Sequence, residues 1–173
     1  MVKEIARASI KVLAKEGMDD WSIAAAAREA GCAKGLVHYY FRSRSELLAE
    51  MARTIVADRH DRKLRSLKAG GAAAIDGLWD NLRAEVSEGA YGAWLGLSAL
   101  NDATVRTALR PPESAQTELG RAAASALGIG VDPLELGAIV EAALTGFQMI
   151  LLQNIETPAL EEAHHRFWLS LLD

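Results

Sequence analysis

Cysteine is nearly missing from this chain. Cys32 is the single one among 173 residues, which excludes an intrachain disulfide and leaves no thiol set for a zinc site. Proline is scarce as well, with four in all, and runs of β-branched residues are absent. Strands are therefore not expected. Lys3, Glu4 and Arg7 interrupt any apolar start, so no secretory signal is expected. No run reaches the ~18 apolar residues that would span a bilayer. The expectation is a soluble cytoplasmic protein with no membrane partner. No nucleophile–base constellation is visible, so the chain does not read as an enzyme, and no cofactor or metal is implied.

What is present is alanine and leucine, in a chain that is 50% hydrophobic and 24% charged. That composition predicts an all-α protein, with one good core or a small domain beside a larger one. The formal net charge of −4 divides unevenly along the chain. Residues 1–66 hold 13 Lys/Arg against 9 Asp/Glu, and residues 67–173 hold 6 against 14. Phosphate binding would fall to the basic part.

The stretch Ser22 to Phe41, SIAAAAREAGCAKGLVHYYF, reads as two short helices joined by a tight turn. Ser22 is a good N-cap. Ile23 to Ala30 is alanine-rich, and Gly31 breaks it with a residue free to take a left-handed conformation. A second helix is expected from about Ala33 to Tyr40. Helices crossing at roughly 90–120° need a small residue where the backbones approach, a turn without Cβ, and an apolar plug. Ala27, Gly31 and Val37 supply these in order, which is the helix-turn-helix pattern.

The continuation, GLVHYYFRSRSELL, resembles the recognition helix and following helix of the TetR family of bacterial one-component transcription regulators. The residues that carry the resemblance are Gly35, Val37, His38-Tyr39-Tyr40, Phe41, Arg42-Ser43, Arg44 and Glu46-Leu47-Leu48, and it covers about residues 2 to 50. His38 stands where the family usually has Tyr, and Leu36 where it usually has a small polar residue; both departures bear on sequence preference. The resemblance implies that the N-terminus of the second helix enters the major groove. Lys34 would read guanine O6 and N7, Gly35 would allow close backbone approach, and Leu36 would touch a thymine methyl. His38 would donate to a base or a phosphate. Ser22, Tyr39, Tyr40 and Arg44 match positions that hold phosphates and set register. Tyr40 reads equally as core, and Phe41 reads as core.

Taken in order, Val2 to Glu16 is an amphipathic helix ended by Gly17, and Trp21 packs over the next helix as a staple. Ser43 and Glu46 form a capping box for a long helix reaching about Leu67, with Leu47, Met51 and Ile55 as its inner stripe. Its DRHDRKLR run, Asp58 to Arg65, reads as a solvated face. Lys68-Ala69-Gly70-Gly71 is a clear break. Helices follow from about Ala72 to Gly89, from Ala90 to Leu109 stopped by Pro111-Pro112, and from Glu113 to Leu127 closed by Gly128. Pro133 and Pro158 open the last two helices. The first of these is apolar over most of its circumference, and the second carries Phe167, Trp168, Leu171 and Leu172 on one face. Such helices need burial, and a partner subunit across a two-fold axis would supply it. Ile139, Ala143, Phe147, Ile150, Phe167, Trp168 and Leu171 are the candidate dimer contacts.

Two further features bear on chemistry. Glu161/His164 and Glu162/His165 have the Glu-x-x-His spacing of di-iron bundles, but His38 and His60 lack a matching Glu, so no metal site is expected. A polar outer stripe on the last helix is the simpler reading. Trp79, Tyr91, Trp94 and Phe147 are candidate walls of a ligand cavity. Ala93 to Arg110 resembles the effector domain of choline-responsive repressors of the same family, which implies a cationic ligand caged by aromatics. Apolar or aromatic small molecules suit the same residues.

The whole therefore reads as about nine helices in two domains. Residues 1–50 form a three-helix DNA-binding domain, and residues 51–173 a helical domain for effector binding and dimerisation. The expected function is a ligand-responsive homodimeric repressor, bound to a palindromic DNA operator and released by a small molecule. The alternative is a helical ligand-binding or metal-binding protein without DNA binding.

Overall fold

The computed structural model describes residues 1–153 and 158–171. Among these residues it is wholly helical. The elements are α1 (Val2–Asp20), α2 (Ile23–Glu29), α3 (Lys34–Tyr40), α4 (Arg44–Leu67), α5 (Gly71–Ser87), α6 (Ala90–Ser98), α7 (Ala103–Ala108), α8 (Glu113–Leu127), α9 (Pro133–Leu152) and α10 (Pro158–Leu169). Leu172 lies outside the described residues.

The chain forms two compact units. The first holds Met1–Asp58 and Ser87–Arg110, and the second holds Arg59–Val86 with the rest from Pro111. The first unit is thus discontinuous, and the expected boundary at residue 50 falls within α4, whose residues divide between the units after Asp58.

In the first unit, α1 is interrupted at Gly17, which takes φ +77°. Its core joins Ile5, Ala6, Val12 and Leu13 of α1 to Ala25–Ala27 of α2, Val37 and Phe41, and Leu47, Met51 and Ile55 of α4. Ala93, Leu97 and Val105 of α6 and α7 close it. Gly89 lets α6 start hard against α1, because a Cβ there would lie 2.9 Å from the Ala14 Cβ. The single helix expected from Ala90 to Leu109 is broken into α6 and α7. Asp102 accepts from the amides of Thr104 and Val105 at 2.8 and 3.1 Å and so starts a new helix. The Ser45 hydroxyl of α4 donates to the same carboxylate, and that bond is the main reason its pKa lies below the usual range. Among the described residues this break turns one expected helix into two.

In the second unit, α8 and α9 cross at two glycines. A Cβ on Gly120 would lie 1.7 Å from the Pro133 carbonyl oxygen, and one on Gly137 would lie 2.0 Å from that of Gln116. Leu119, Ala123, Leu136, Val140, Leu144 and Trp168 fill the core with Leu78, Trp79 and Leu82 of α5. Asp132 caps α9, accepting from Leu134 and Glu135, and Gly128 ends α8 at φ +74°.

By length and composition α9, with mean hydropathy 1.5 over an 18-residue window, is apolar enough to cross a membrane. Glu135 and Glu141 interrupt it and it packs against α8, so the match is weak evidence of a span. One expectation fails: the run Asp58 to Arg65 is not a solvated face. Arg59 and Lys63 are buried, because the inner stripe Leu47, Met51, Ile55 continues at the same four-residue spacing through Arg59, Lys63 and Leu67.

Candidate nucleic-acid interface

Ala25, Ala26 and Ala27 are buried, and Ser22 starts α2 by accepting from the Ala25 amide at 3.1 Å. A serine oxygen that accepts one bond keeps its O–H free to donate. After Ala30, Gly31 turns the chain at φ +64°, and the Cys32 amide reaches back to the Ala27 carbonyl at 3.0 Å. α3 is then anchored by Val37, 1% exposed, and by Phe41 just beyond its end. The three residues expected to fix the crossing occupy those roles.

With Val37 inward, the rest of α3 is presented to solvent. Lys34, Gly35 and His38 are exposed, Leu36 is half-buried, and Tyr39 is 79% exposed. Tyr40 is 36% exposed and meets Tyr39 edge to face, with ring centroids 5.2 Å apart. Phe41 belongs to the core. An exposed tyrosine pair beside an exposed lysine has a large apolar area with hydrogen-bonding tips, which suits a phosphate backbone.

The turn into α4 is held by the two side chains of the expected capping box, with Glu46 reaching the amide before the cap. The Glu46 amide donates to the Ser43 hydroxyl at 3.1 Å, and the Glu46 carboxylate accepts from the Arg42 amide at 2.7 Å. Arg44, at the first helical position, lies over the Trp21 ring at 5.3 Å and reaches the Met18 sulfur at 3.8 Å. Trp21 is itself fixed by donating to the Ser9 carbonyl at 3.2 Å. Arg44 is therefore a positioned cation on an exposed residue.

The excess of basic residues over 1–66 does not belong to the first unit alone. Arg59, Arg62, Lys63 and Arg65 belong to the second unit. Without them, residues 1–58 hold 9 Lys/Arg against 8 Asp/Glu. The favourable charge is local instead: residues 30–45 carry Lys34, Arg42 and Arg44 and no carboxylate.

The second unit encloses three charged side chains, Arg59, Lys63 and Glu85. Arg59 Nε donates to Glu85 Oε2 at 2.9 Å, and Arg59 Nη2 donates to Gln148 Oε1 at 2.6 Å. Gln148 Nε2 completes the triangle on Glu85 Oε2 at 2.6 Å. Lys63 Nζ lies 2.6 Å from both Glu141 oxygens. Burial holds the Lys63 ammonium below the usual lysine range, and Glu141 opposes the shift. Sequence reasoning missed this network; the signal available was the unbroken spacing of residues 47 to 67.

The four candidate ligand aromatics divide between the two units. Tyr91 and Trp94 belong to the first unit and stack, with centroids 5.7 Å apart and planes 14° apart. Ala93 to Arg110, the segment that resembles the effector domain of choline-responsive repressors, also lies in that unit. Trp79 and Phe147 belong to the second unit, with ring centroids 6.5 Å apart. His164 joins them and is fully buried, so the polar outer stripe expected on α10 is wrong at that position. Burial pushes its pKa down to about 4. His165 lies nearer the surface, bonded to Asp76 at 2.8 Å, which raises its pKa.

Among the candidate dimer residues, Ile150 is exposed, and Ile139, Ala143, Phe147, Phe167 and Leu171 are half-buried. Trp168 is wholly buried in its own unit. α9 also presents Ala138, Ala142, Gly146 and Met149 to solvent.

The sequence model described as bacterial regulatory proteins, tetR family, matches residues 5–51. The HTH-type transcriptional regulator BetI of Escherichia coli O17:K52:H18 (strain UMN026 / ExPEC) is 31% identical over 163 residues, covering 83% of each chain. A solved TetR-family transcriptional regulator from Rhodococcus sp. superposes with a TM-score of 0.75 at 25% identity, over 99% of this chain and 98% of that one. A transcriptional regulator from Saccharomonospora viridis, solved in complex with choline, has a TM-score of 0.63 over 96% and 94% of the two chains. At 19% identity, that likeness shows the fold alone. A helix-turn-helix followed by a helical unit is thus shared along nearly the whole chain with transcription regulators, and the protein belongs to the tetR family of bacterial regulatory proteins.

Proposed function

We propose that this DNA-binding, ligand-responsive regulator is a cytoplasmic repressor. It acts as a homodimer on a palindromic operator and leaves DNA when a small molecule occupies the second unit. The observation that carries the reading is the exposed outer surface of α3 around an anchored Val37. In this reading Lys34 donates to guanine in the major groove, with Gly35, Leu36 and His38 at the base edges. Ser22, Tyr39, Tyr40 and Arg44 hold phosphates and set register.

The dimer would form on the exposed apolar surface of α9. Ala138, Ala142 and Gly146 recur every four residues there, so they line one side and admit a close helix. Ile150 and Met149 extend that surface, with Ile139, Ala143, Phe147, Phe167 and Leu171 at its margin. Trp168 would support the interface from inside its own unit. Trp79 and Phe147 are the ligand walls in this reading. Ligand would act by favouring a separation of the two α3 helices that no longer matches the ~34–36 Å between half-sites.

The test is a footprint of the intact protein on DNA upstream of its own gene. Two protected half-sites about 10–10.5 base pairs apart are expected. Absence of protection at any salt concentration would defeat the reading.

A further inference from the structure

His164 and Trp79 carry an unmet requirement in the core of the second unit. Trp168 Nε1 donates to His164 Nε2 at 2.9 Å. A ring nitrogen that accepts a hydrogen bond carries no proton, and the buried ring is neutral, so its proton is on Nδ1. Among the described residues that N–H has no partner. The indole N–H of Trp79, which can only donate, has none either. The two rings are neighbours, with centroids 5.2 Å apart, and Phe147 stands 5.1 Å from His164. Trp79 is 3% exposed and His164 fully buried, so bulk water does not serve them. The carboxylate on the same side, Asp76, is engaged by His165.

Buried donors left without acceptors are costly and uncommon, so a pair on adjoining rings marks a place where an acceptor belongs. The polarity of the pair selects the chemistry. Two N–H groups repel an ammonium and a metal ion alike, and Nδ1 is protonated, so it cannot ligate. Neither donor is cationic, so an anion would be buried without a counter-charge. We propose that Trp79 and His164 are the polar anchors of the effector site and take the carbonyl or ether oxygen of an uncharged molecule whose apolar body packs against Phe147. This rests on the reading that the second unit binds an effector. It runs against the cationic ligand implied by the choline-type resemblance.

The test uses the full chain and two pairs of isosteric probes, acetophenone with α-methylstyrene and anisole with ethylbenzene, titrated by calorimetry. The oxygen-bearing member of at least one pair should bind about tenfold tighter, as two hydrogen bonds require. Trp79→Phe keeps a ring and removes one donor, and should reduce that preference severalfold. The Nδ1–H resonance of His164 should shift with the oxygen-bearing probe and not with its hydrocarbon partner, a readout that needs no substitution. Equal binding within both pairs, or a preference unchanged in Trp79→Phe, would overturn the proposal. So would a crystal structure in which a water keeps both nitrogens while the preferred probe is bound. A protein that still footprints its operator but shows no such preference would lose this site and keep its function.

Discussion

In the first unit the core is made of Ile5, Ala26, Val37, Leu47 and their neighbours, and the side chains with chemistry stand outside it. In the second, Arg59, Lys63, Glu85, Gln148 and His164 are enclosed with the leucines. An apolar core anchors a helix at little cost and leaves its outer surface free to be rigid and exposed, as a DNA reader needs. A core holding charges is stable only while their partners are in place. That dependence is what a sensor requires, because a small molecule can then alter the balance. Under the proposed function, rigidity belongs to one unit and responsiveness to the other.

The sharpest way to break the contrast is to remove one charge from the second core. Glu85→Leu leaves Arg59 buried beside Gln148 without its carboxylate and should destabilise that unit by about 3–5 kcal/mol in urea unfolding. Combining it with Arg59→Met should recover most of the loss. If the single variant is as stable as the parent, the network is not what holds these helices.

The titration of the buried histidine comes next. The unfolded chain takes up this proton near 6.5, while folded His164 does so only near about 4. Between those values the unfolded state binds more protons, so stability should fall as pH drops through that window, by up to ~1.4 kcal/mol per pH unit. His165 works in the opposite sense. Asp76 raises its pKa, so its contribution is present below the unfolded value and lost as pH rises through the folded one. Denaturant curves from pH 7.5 to 4 on His165→Asn should show the fall attributable to His164 alone. A flat profile there would contradict the buried neutral assignment.

Packing gives a smaller effect. Gly120→Ala places a methyl against the Pro133 carbonyl, where only 1.7 Å is available, so α8 and α9 must separate. A net loss of about 1–3 kcal/mol is expected despite the better helix propensity of alanine. In the first unit, Ser22→Ala removes the α2 cap and should cost about 1 kcal/mol in the same assay.

The first unit was the more legible because its determinants are local. Ala27, Gly31 and Val37 lie within eleven residues and act through one turn, and the Ser43–Glu46 box acts across one helical start. Gly128 ended α8 where expected for the same reason. The break at Asp102 was hidden by an apolar pattern that runs on either side of a short polar pair. Arg59 and Lys63 looked solvated because their partners, Glu85, Gln148 and Glu141, are more than twenty residues away in sequence. His164 was misplaced because Glu-x-x-His spacing suggests an outward or metal-facing pair, whereas the acceptor it offers is used by Trp168 one turn later. Proximity in space, not residue type, decided each of these.

The central claim is that α3 reads base sequence from an exposed surface. Its most direct test is an anisotropy titration of wild type and Lys34→Ala against the footprinted operator and a shuffled duplex at matched salt. The account predicts that Lys34→Ala lowers affinity for the operator by about 1–3 kcal/mol while binding to the shuffled duplex changes little. An unchanged ratio between the two duplexes would contradict it.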